Sequence, residues 1–443
     1  MKNLGGDKEK VKTKNKTIAL LETAVVLCSV LLVAIPAIAV EQNTQKASAS
    51  EVTTASEDDF VLSIYGNANE DDTIDVRDVT YIKLVIFGKK PETKFCDANY
   101  DGRVSMLDVV QTKLIIVGKE AKLTLIDQAD RTVTVPKPIE RVVPTGPSML
   151  RNTVILGAAD KVVGVDSYSA RGMLFCVQAH PELMDLPTVG THREPDVEAI
   201  LALKPDVVFA FYAAADPIQE QTGIPVVSLS GVRADIREFS KTYESLRLAG
   251  WILGKEDRAE WLISYVEDKL DRIREITEEI PEEEKPKVYI LAAYGIKDTM
   301  VYAPVEWAGG YNVAKEYLIS YGLTFAQIDP ELVIAWNPDV IFGRFKGDFD
   351  ERVAELLETH PGLEVTKAVK EGKVYAIFGP YVCWDLIQLV VETYYMAKLL
   401  HPDKFQDLDV EKEANKMFKE VYGADDLYNK VQEVRGLELY RWD

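Results

Sequence analysis

The sequence predicts an α/β protein: two Rossmann-like lobes joined by a long helix, preceded by a small all-α unit of two calcium-binding loop–helix repeats. Three observations carry this. A helix-then-strand segment occurs twice, 133 residues apart, with Pro205-Asp206 and Pro338-Asp339 at the same place in each copy. The stretch from Ile236 to Ile280 between the copies is rich in helix formers and free of proline. A twelve-residue acidic loop that opens at Asn67 opens again at Asp97.

Composition bounds the functions. A chain of 443 residues has room for about three domains. Its hydrophobic share of 47% supports packed cores, and its net charge of −21 argues against nucleic acid as a partner. Four cysteines (Cys28, Cys96, Cys176, Cys383) are too few and too scattered for a disulfide scaffold. Four histidines argue against a His-rich transition-metal site.

Residues 1–40 read as a signal peptide or an N-terminal anchor. Lys8, Lys10, Lys12, Lys14 and Lys16 precede an apolar run from Ile18 to Val40, and Ala37-Ile38-Ala39 is a small-residue cleavage pattern. About 20 apolar residues also suffice to span a bilayer, so both readings stand. Either one places the rest of the chain outside the cytoplasm, secreted or held on the outer face of the membrane. Cys28 follows Leu27, where a lipidation site wants a small residue. Membrane contact is expected only through this segment or a permease. Residues 41–59 turn to Ser, Thr, Ala, Gln and Glu, and read as a linker.

The two acidic loops come next. Oxygen-bearing side chains stand at positions 1, 3, 5, 9 and 12 of both: Asn67, Asn69, Asp71, Asp75 and Asp78, then Asp97, Asn99, Asp101, Ser105 and Asp108. Ca²⁺ takes six to eight oxygens, which this spacing supplies, with backbone carbonyls at position 7 from Thr73 and Arg103. Gly102 suits the sharp turn at position 6, whereas Asp72 there is expected to strain the first loop. Apolar-periodic stretches, Val79 to Gly88 and Val109 to Gly118, follow as helices. With no helix ahead of either loop, and Asp at position 12, residues 60–120 resemble a dockerin domain. That resemblance implies two bound Ca²⁺ ions and docking to a cohesin partner. Positions 10 and 11, which dockerins present to the cohesin, hold Val76, Arg77, Met106 and Leu107.

The remaining chain divides into lobe one (residues 123–235), connecting helices (236–280) and lobe two (286–443). In each lobe an amphipathic helix runs toward the proline, and a fully apolar strand follows the aspartate. Gly250 and Gly254 are expected to interrupt the connector, with its long helix running from about Asp257 and Leu262, Val266, Leu270, Ile273 and Ile276 along one face. Several motifs then fall in a familiar order. They are Pro138 to Val143, Ile155 to Val165, Val189-Gly190 before Pro195 to Asp206, Leu253 to Ala259, and Ala368 to Tyr375. Over about residues 123–420 the chain resembles the helical-backbone substrate-binding proteins of ABC transporters, which carry iron–siderophore complexes, haem and cobalamin. The resemblance implies capture of such a metal chelate without catalysis.

Ligands of open α/β sheets lie outside the carboxyl ends of the strands. Lobe one offers Ser148, Tyr168, Arg171, Arg193 and Tyr212 there, and lobe two offers Tyr294, Trp307, Arg344, Tyr381 and Trp384. Guanidinium groups suit carboxylates and phosphates, and aromatic faces suit conjugated or chelated ligands. Tyr294 and Trp384 serve equally well as core. Cys176 and Cys383 read as free thiols. The family also docks on a membrane permease through an acidic residue of each lobe, which points to Asp216 and to Asp348, Asp350 and Glu351. Two other functions compete: a dockerin-bearing extracellular hydrolase, which needs two positioned carboxylates, and a surface assembly protein.

Overall fold

The computed structural model describes residues 60–291, 298–344, 349–379 and 384–435. The expected signal or anchor and the 41–59 linker lie outside the described residues. Among those described, no helix is long and apolar enough to cross a membrane.

Each acidic loop runs into a helix that begins at its tenth position, α1 (Val76–Ile86) and α2 (Met106–Ile116). Asp75 and Ser105 are the N-caps, and position 12 completes a capping box in both. Asp78 accepts the N–H groups of Asn69 (3.0 Å) and Asp75 (2.8 Å), and Asp108 those of Asn99 (3.1 Å) and Ser105 (2.7 Å). The helices pack together through Val79, Ile82 and Val109 around Ala68 and Cys96.

This unit does not stand apart from lobe one. An antiparallel hairpin, β1 (Lys122–Ile126) and β2 (Thr132–Pro136), receives the segment around Ile64 as an added edge. Tyr65 donates to the Thr124 carbonyl (2.9 Å) and Ile126 to that of Ser63 (2.8 Å). Leu62, Ile64, Ile74 and Ile115 are buried in one core with Leu123 and Leu125.

In lobe one the strands β3 (Val142–Pro144), β4 (Val207–Ala210) and β5 (Val226–Ser228) form a parallel sheet with β4 central. The helices α3 (Pro147–Ile155), α4 (Val197–Leu203) and α5 (Tyr212–Thr222) alternate with them. The connector is α6 (Ser240–Leu253) and α7 (Glu256–Thr277). Lobe two then runs β6 (Lys287–Leu291), β7 (Asp298–Met300), α8 (Ala303–Trp307), β8 (Tyr311–Asn312), β9 (Phe325–Gln327), α9 (Pro330–Trp336), β10 (Val340–Gly343), α10 (Phe349–Thr359), β11 (Val374–Ala376) and α11 (Leu386–Leu400). Its main sheet is parallel in the order β11-β10-β6-β8, with β7 and β9 paired beside it. The last helices, α12 (Val410–Tyr422) and α13 (Leu427–Arg435), return to lobe one, where Phe418 stacks on Phe175 at 4.2 Å.

The duplicated Pro-Asp now has a physical meaning. Asp206 accepts the N–H groups of Glu140 and Arg141 (both 2.8 Å), and its own N–H returns to the Arg141 carbonyl. Asp339 does the same with Lys287. Each aspartate therefore pins the first strand of its lobe's parallel sheet to the buried strand that it heads. The helix stop differs slightly from expectation. Lys204 and Asn337, each just before the proline, take left-handed conformations (φ 47°) and end α4 and α9. Proline's ring disfavours the helical region for its predecessor, so the termination falls one residue early.

Gly250 does not interrupt the connector, contrary to expectation; only Gly254, left-handed at φ 67°, ends α6. A Cβ on Gly250 would stand 2.9 Å from that of Ala259. The residue is glycine so that α6 and α7 can touch. α7 buries Ala259, Leu262, Ile263, Val266, Leu270 and Ile273 and packs against both α6 and α11.

Candidate functional site

α3 starts directly beyond the carboxyl end of β3, and every one of its residues is buried. Its N-cap, Gly146, has no side chain to occupy the free N–H groups of the first turn, and Pro147 fits the N1 position. A Cβ at Gly146 would come within 3.0 Å of the His192 Cβ and 3.3 Å of the Phe211 ring, so the backbone here is pressed against both. Ser148 is fully buried, with its Oγ lacking a hydrogen-bond partner. Gly231 faces it so closely that a Cβ would sit 2.5 Å from that oxygen. One turn further, Asn152 is buried with both amide atoms unpartnered. Ser148 and Asn152, four apart, share a face of the helix.

Aromatic groups continue the surface. Tyr168, His192 and Phe211 form a ladder with centroid separations of 5.8 and 5.9 Å, and the Arg171 guanidinium lies 4.9 Å over the Tyr168 ring. Asp166 fixes the turn that carries Tyr168, accepting the N–H groups of Tyr168 (2.9 Å) and Ser169 (3.2 Å). Burial lowers the His192 pKa, helped by the Arg193 charge, so the ring is neutral at pH 7 and its buried Nδ1 lacks a partner.

On lobe two, Trp384 packs on the buried Tyr302 ring at 5.0 Å. The Tyr302 hydroxyl donates to Glu392, which also accepts the Gly379 N–H (3.2 Å) and the Gln388 amide (3.0 Å). Burial pushes the Glu392 carboxyl up to about 8. Arg344, at the end of β10, lies against Gly379, beyond β11.

α3 bridges the two sets. Arg151 donates to the Trp384 carbonyl (3.2 Å) and stands 3.8 Å from Asp385. Asp385 caps α11 and accepts the Tyr422 hydroxyl at 2.5 Å. Ser148, Tyr168 and Arg171 thus share one neighbourhood on lobe one, and α3 ties it to Trp384. Other expected residues fall elsewhere. Tyr212 is 75% exposed at the start of α5, and Arg193 is exposed beside His192. Trp307 is buried edge-on against Phe239 (4.8 Å), in the joint between the connector and lobe two. Tyr294 and Tyr381 lie outside the described residues. The sequence pattern places Phe211 beside Tyr212 at a strand end but does not single out Asn152, Arg151 or Glu392. The spacing of Ser148 and Asn152 was the available signal. Cys176 is a buried free thiol, pushed up to about 12 by burial, and Cys383 is outside the described residues.

Of the acidic rim residues, Asp216 lies on α5 and pairs with Arg131 (2.8 Å). Asp350 and Glu351 lie exposed in the first turn of α10. α5 and α10 follow the duplicated strands β4 and β10, and Asp348 lies outside the described residues.

In the second acidic loop, Asp97 accepts the N–H groups of Asp101 (3.0 Å) and Gly102 (2.7 Å), drawing position 1 onto the turn. Gly102 is left-handed at φ 87°, whereas Asp72 avoids that region, so the strain expected at Asp72 is absent and the turn of the first loop differs. Among the described residues no three His, Cys, Asp or Glu side chains converge on a common point for a metal. The donors of these loops mix Asp with Asn, Ser and backbone carbonyls.

The family model for periplasmic binding proteins matches residues 142–380, just over half of the chain. The chain belongs to the periplasmic binding protein family. Like the family's members, it is a binding protein and not an enzyme. A molybdate-binding protein, MolA, of Haemophilus influenzae is 28% identical over 328 residues, covering 67% of this chain and 90% of its own. An uncharacterized ABC transporter substrate-binding lipoprotein, YvrC, of Bacillus subtilis is 27% identical over 64% of this chain and 87% of its own. The solved structure of MolA bound to molybdate superposes with a TM-score of 0.57 at 24% identity, over 68% of this chain and 98% of that one. A periplasmic solute-binding protein from Veillonella parvula gives 0.57 at 22% identity, over 70% and 96%. At these identities the superpositions show the shared fold. Relatives described as periplasmic or as lipoproteins are consistent with an extracytoplasmic location for this chain.

Proposed function

We propose that this importer binding protein captures a metal complex of the iron–siderophore, haem or cobalamin type at the strand ends of its two lobes. The observation that carries the reading is α3. It joins the Tyr168–His192–Phe211 ladder and its guanidinium to the Tyr302–Trp384 pair, and flat rings beside a fixed cation suit a bulky anionic chelate. Delivery then requires docking on an ABC permease, for which Asp216, Asp350 and Glu351, with Asp348, supply the acidic contacts. The family leaves no place for the hydrolase alternative.

A second reading rests on Ser148. A buried hydroxyl without a partner, beside the uncapped N-terminus of α3, favours a small oxyanion, the class named for the molybdate-binding relative. Tryptophan fluorescence titrations with ferric siderophores, haem, cobalamin and molybdate separate the two. Trp384→Ala should weaken a chelate and spare molybdate, and Ser148→Ala the reverse. No response to any of these ligands would remove both readings.

For residues 60–120 we propose a dockerin that holds two Ca²⁺ ions and attaches the receptor to a cohesin partner. The two loops, each closed by the same reciprocal caps, support it. Calcium-dependent capture of a cohesin, abolished by a chelator, is the expected result; capture indifferent to calcium would count against it. Loss of uptake on charge reversal at Asp216 and Glu351, with ligand binding intact, tests the permease contacts and separates an importer from a surface assembly protein.

A further inference from the structure

The two acidic loops differ at position 11, which holds Arg77 in the first and Leu107 in the second. The Arg77 guanidinium reaches back over its own loop. Its Nη2 lies 3.0 Å from Asp71 Oδ2, and its Nε 2.9 Å from Asp75 Oδ2. Those carboxylates stand at positions 5 and 9, where a calcium loop draws its ligands. In the second loop, among the described residues, no lysine or arginine pairs with Asp97, Asp101 or Asp108.

The first loop still keeps a seat for a cation. Asn67, at position 1, is fully buried; its amide nitrogen donates to the carbonyls of Leu62 (2.8 Å) and Asp71 (2.6 Å). Its Oδ1 is buried without a hydrogen-bond partner. A buried acceptor left unsatisfied carries a desolvation penalty that a cation would relieve. Asp71, Asp75 and Asp78 give that loop the same number of carboxylates as Asp97, Asp101 and Asp108 give the second, so its charge suits a hard divalent ion equally well.

We propose that Arg77 is an internal counter-cation that holds the first loop until Ca²⁺ displaces it, so that the loops fill in order, the second before the first. The proposal rests on the calcium reading given above and adds the ranking and its cause. Guanidinium and Ca²⁺ cannot share Asp71 and Asp75 without like-charge repulsion. Calcium therefore has to break two ion pairs in the first loop, one of them hydrogen-bonded, and none in the second. Because Arg77 is largely exposed, the competition is modest and salt-sensitive.

Calorimetric titration of the full chain with Ca²⁺ tests this, on wild type, Arg77→Leu and Asp97→Asn. Wild type should bind two ions in separable steps. Arg77→Leu, which copies the second loop, should tighten the weaker step about three- to tenfold and leave the stronger one unchanged. Asp97→Asn should weaken the stronger step alone. Two equal sites in wild type, no response to Arg77→Leu, or an Asp97→Asn effect confined to the weaker step would each overturn the ranking while leaving calcium binding in place. Absence of any calcium binding would remove the calcium reading itself, and the ranking with it.

Discussion

Replacing Glu392 by Gln should remove much of the pH dependence of stability between pH 5 and pH 8. The carboxyl is wholly buried, and that burial raises it from 4.5 to about 8, against the smaller opposing pull of the Gly379 and Phe378 N–H groups. Between those two values the unfolded chain has lost the proton and the folded chain keeps it. The folded state then binds more protons, so stability falls as pH rises. One such group contributes up to about 1.4 kcal/mol per pH unit within the window. The amide of Gln cannot titrate, yet it can accept from Gly379 and donate to the Tyr302 oxygen, so the packing survives. Glu306, pushed up to about 7 by burial, has the same sign, so the variant should keep part of the slope. Urea midpoints at pH 5, 6, 7 and 8 measure both proteins. Parallel pH profiles for the two would refute the argument, because Glu392 would then be ionised in the fold throughout.

Three further outcomes are expected. Gly231→Ala should displace Ser148 and weaken ligand binding at least about tenfold, since its new methyl would overlap the Ser148 side chain. Fluorescence titration reads this, and an unchanged affinity would show that Ser148 takes no part. Arg151→Ala leaves Asp385 buried without its guanidinium and should cost about 3 kcal/mol or more in thermal or urea unfolding. A loss under about 1 kcal/mol would mean that the Tyr422 hydroxyl and the N–H groups of Ile387 and Gln388 satisfy the carboxylate without it. Ile64→Asp places an unpaired carboxylate in the shared core, and should split thermal unfolding into an early transition for residues 60–120 and a later one for the lobes. A single undisturbed transition would sink that expectation.

Features governed by the backbone were legible in the sequence. Pro205-Asp206 and Pro338-Asp339 announce the two lobes because the aspartate at the head of each buried strand makes the same pair of strand-pinning bonds. The acidic loops are legible for the same reason: their spacing fixes which oxygens turn inward and where the caps of α1 and α2 fall. Residues whose meaning lies in distant partners were not legible. Gly250 resembles a helix breaker until Ala259 is seen against it. Glu392 and Arg151 look like surface charges on helices, since the elements that bury them are remote in sequence. Trp307 and Trp384 carry the same chemistry and read alike as strand-end aromatics, and only tertiary packing sends one to a joint and leaves the other partly open beside Arg151. Leu62 to Tyr65 is too short to show a strand pattern, and its partner hairpin starts some sixty residues later.

That short edge has a mechanical consequence. The acidic-loop unit and lobe one are stitched together by backbone hydrogen bonds and a common core, so torque applied to the former is transmitted to the latter without slack. Whatever grips α1 and α2 therefore sets the direction in which the mouth of the receptor faces, as well as where it sits.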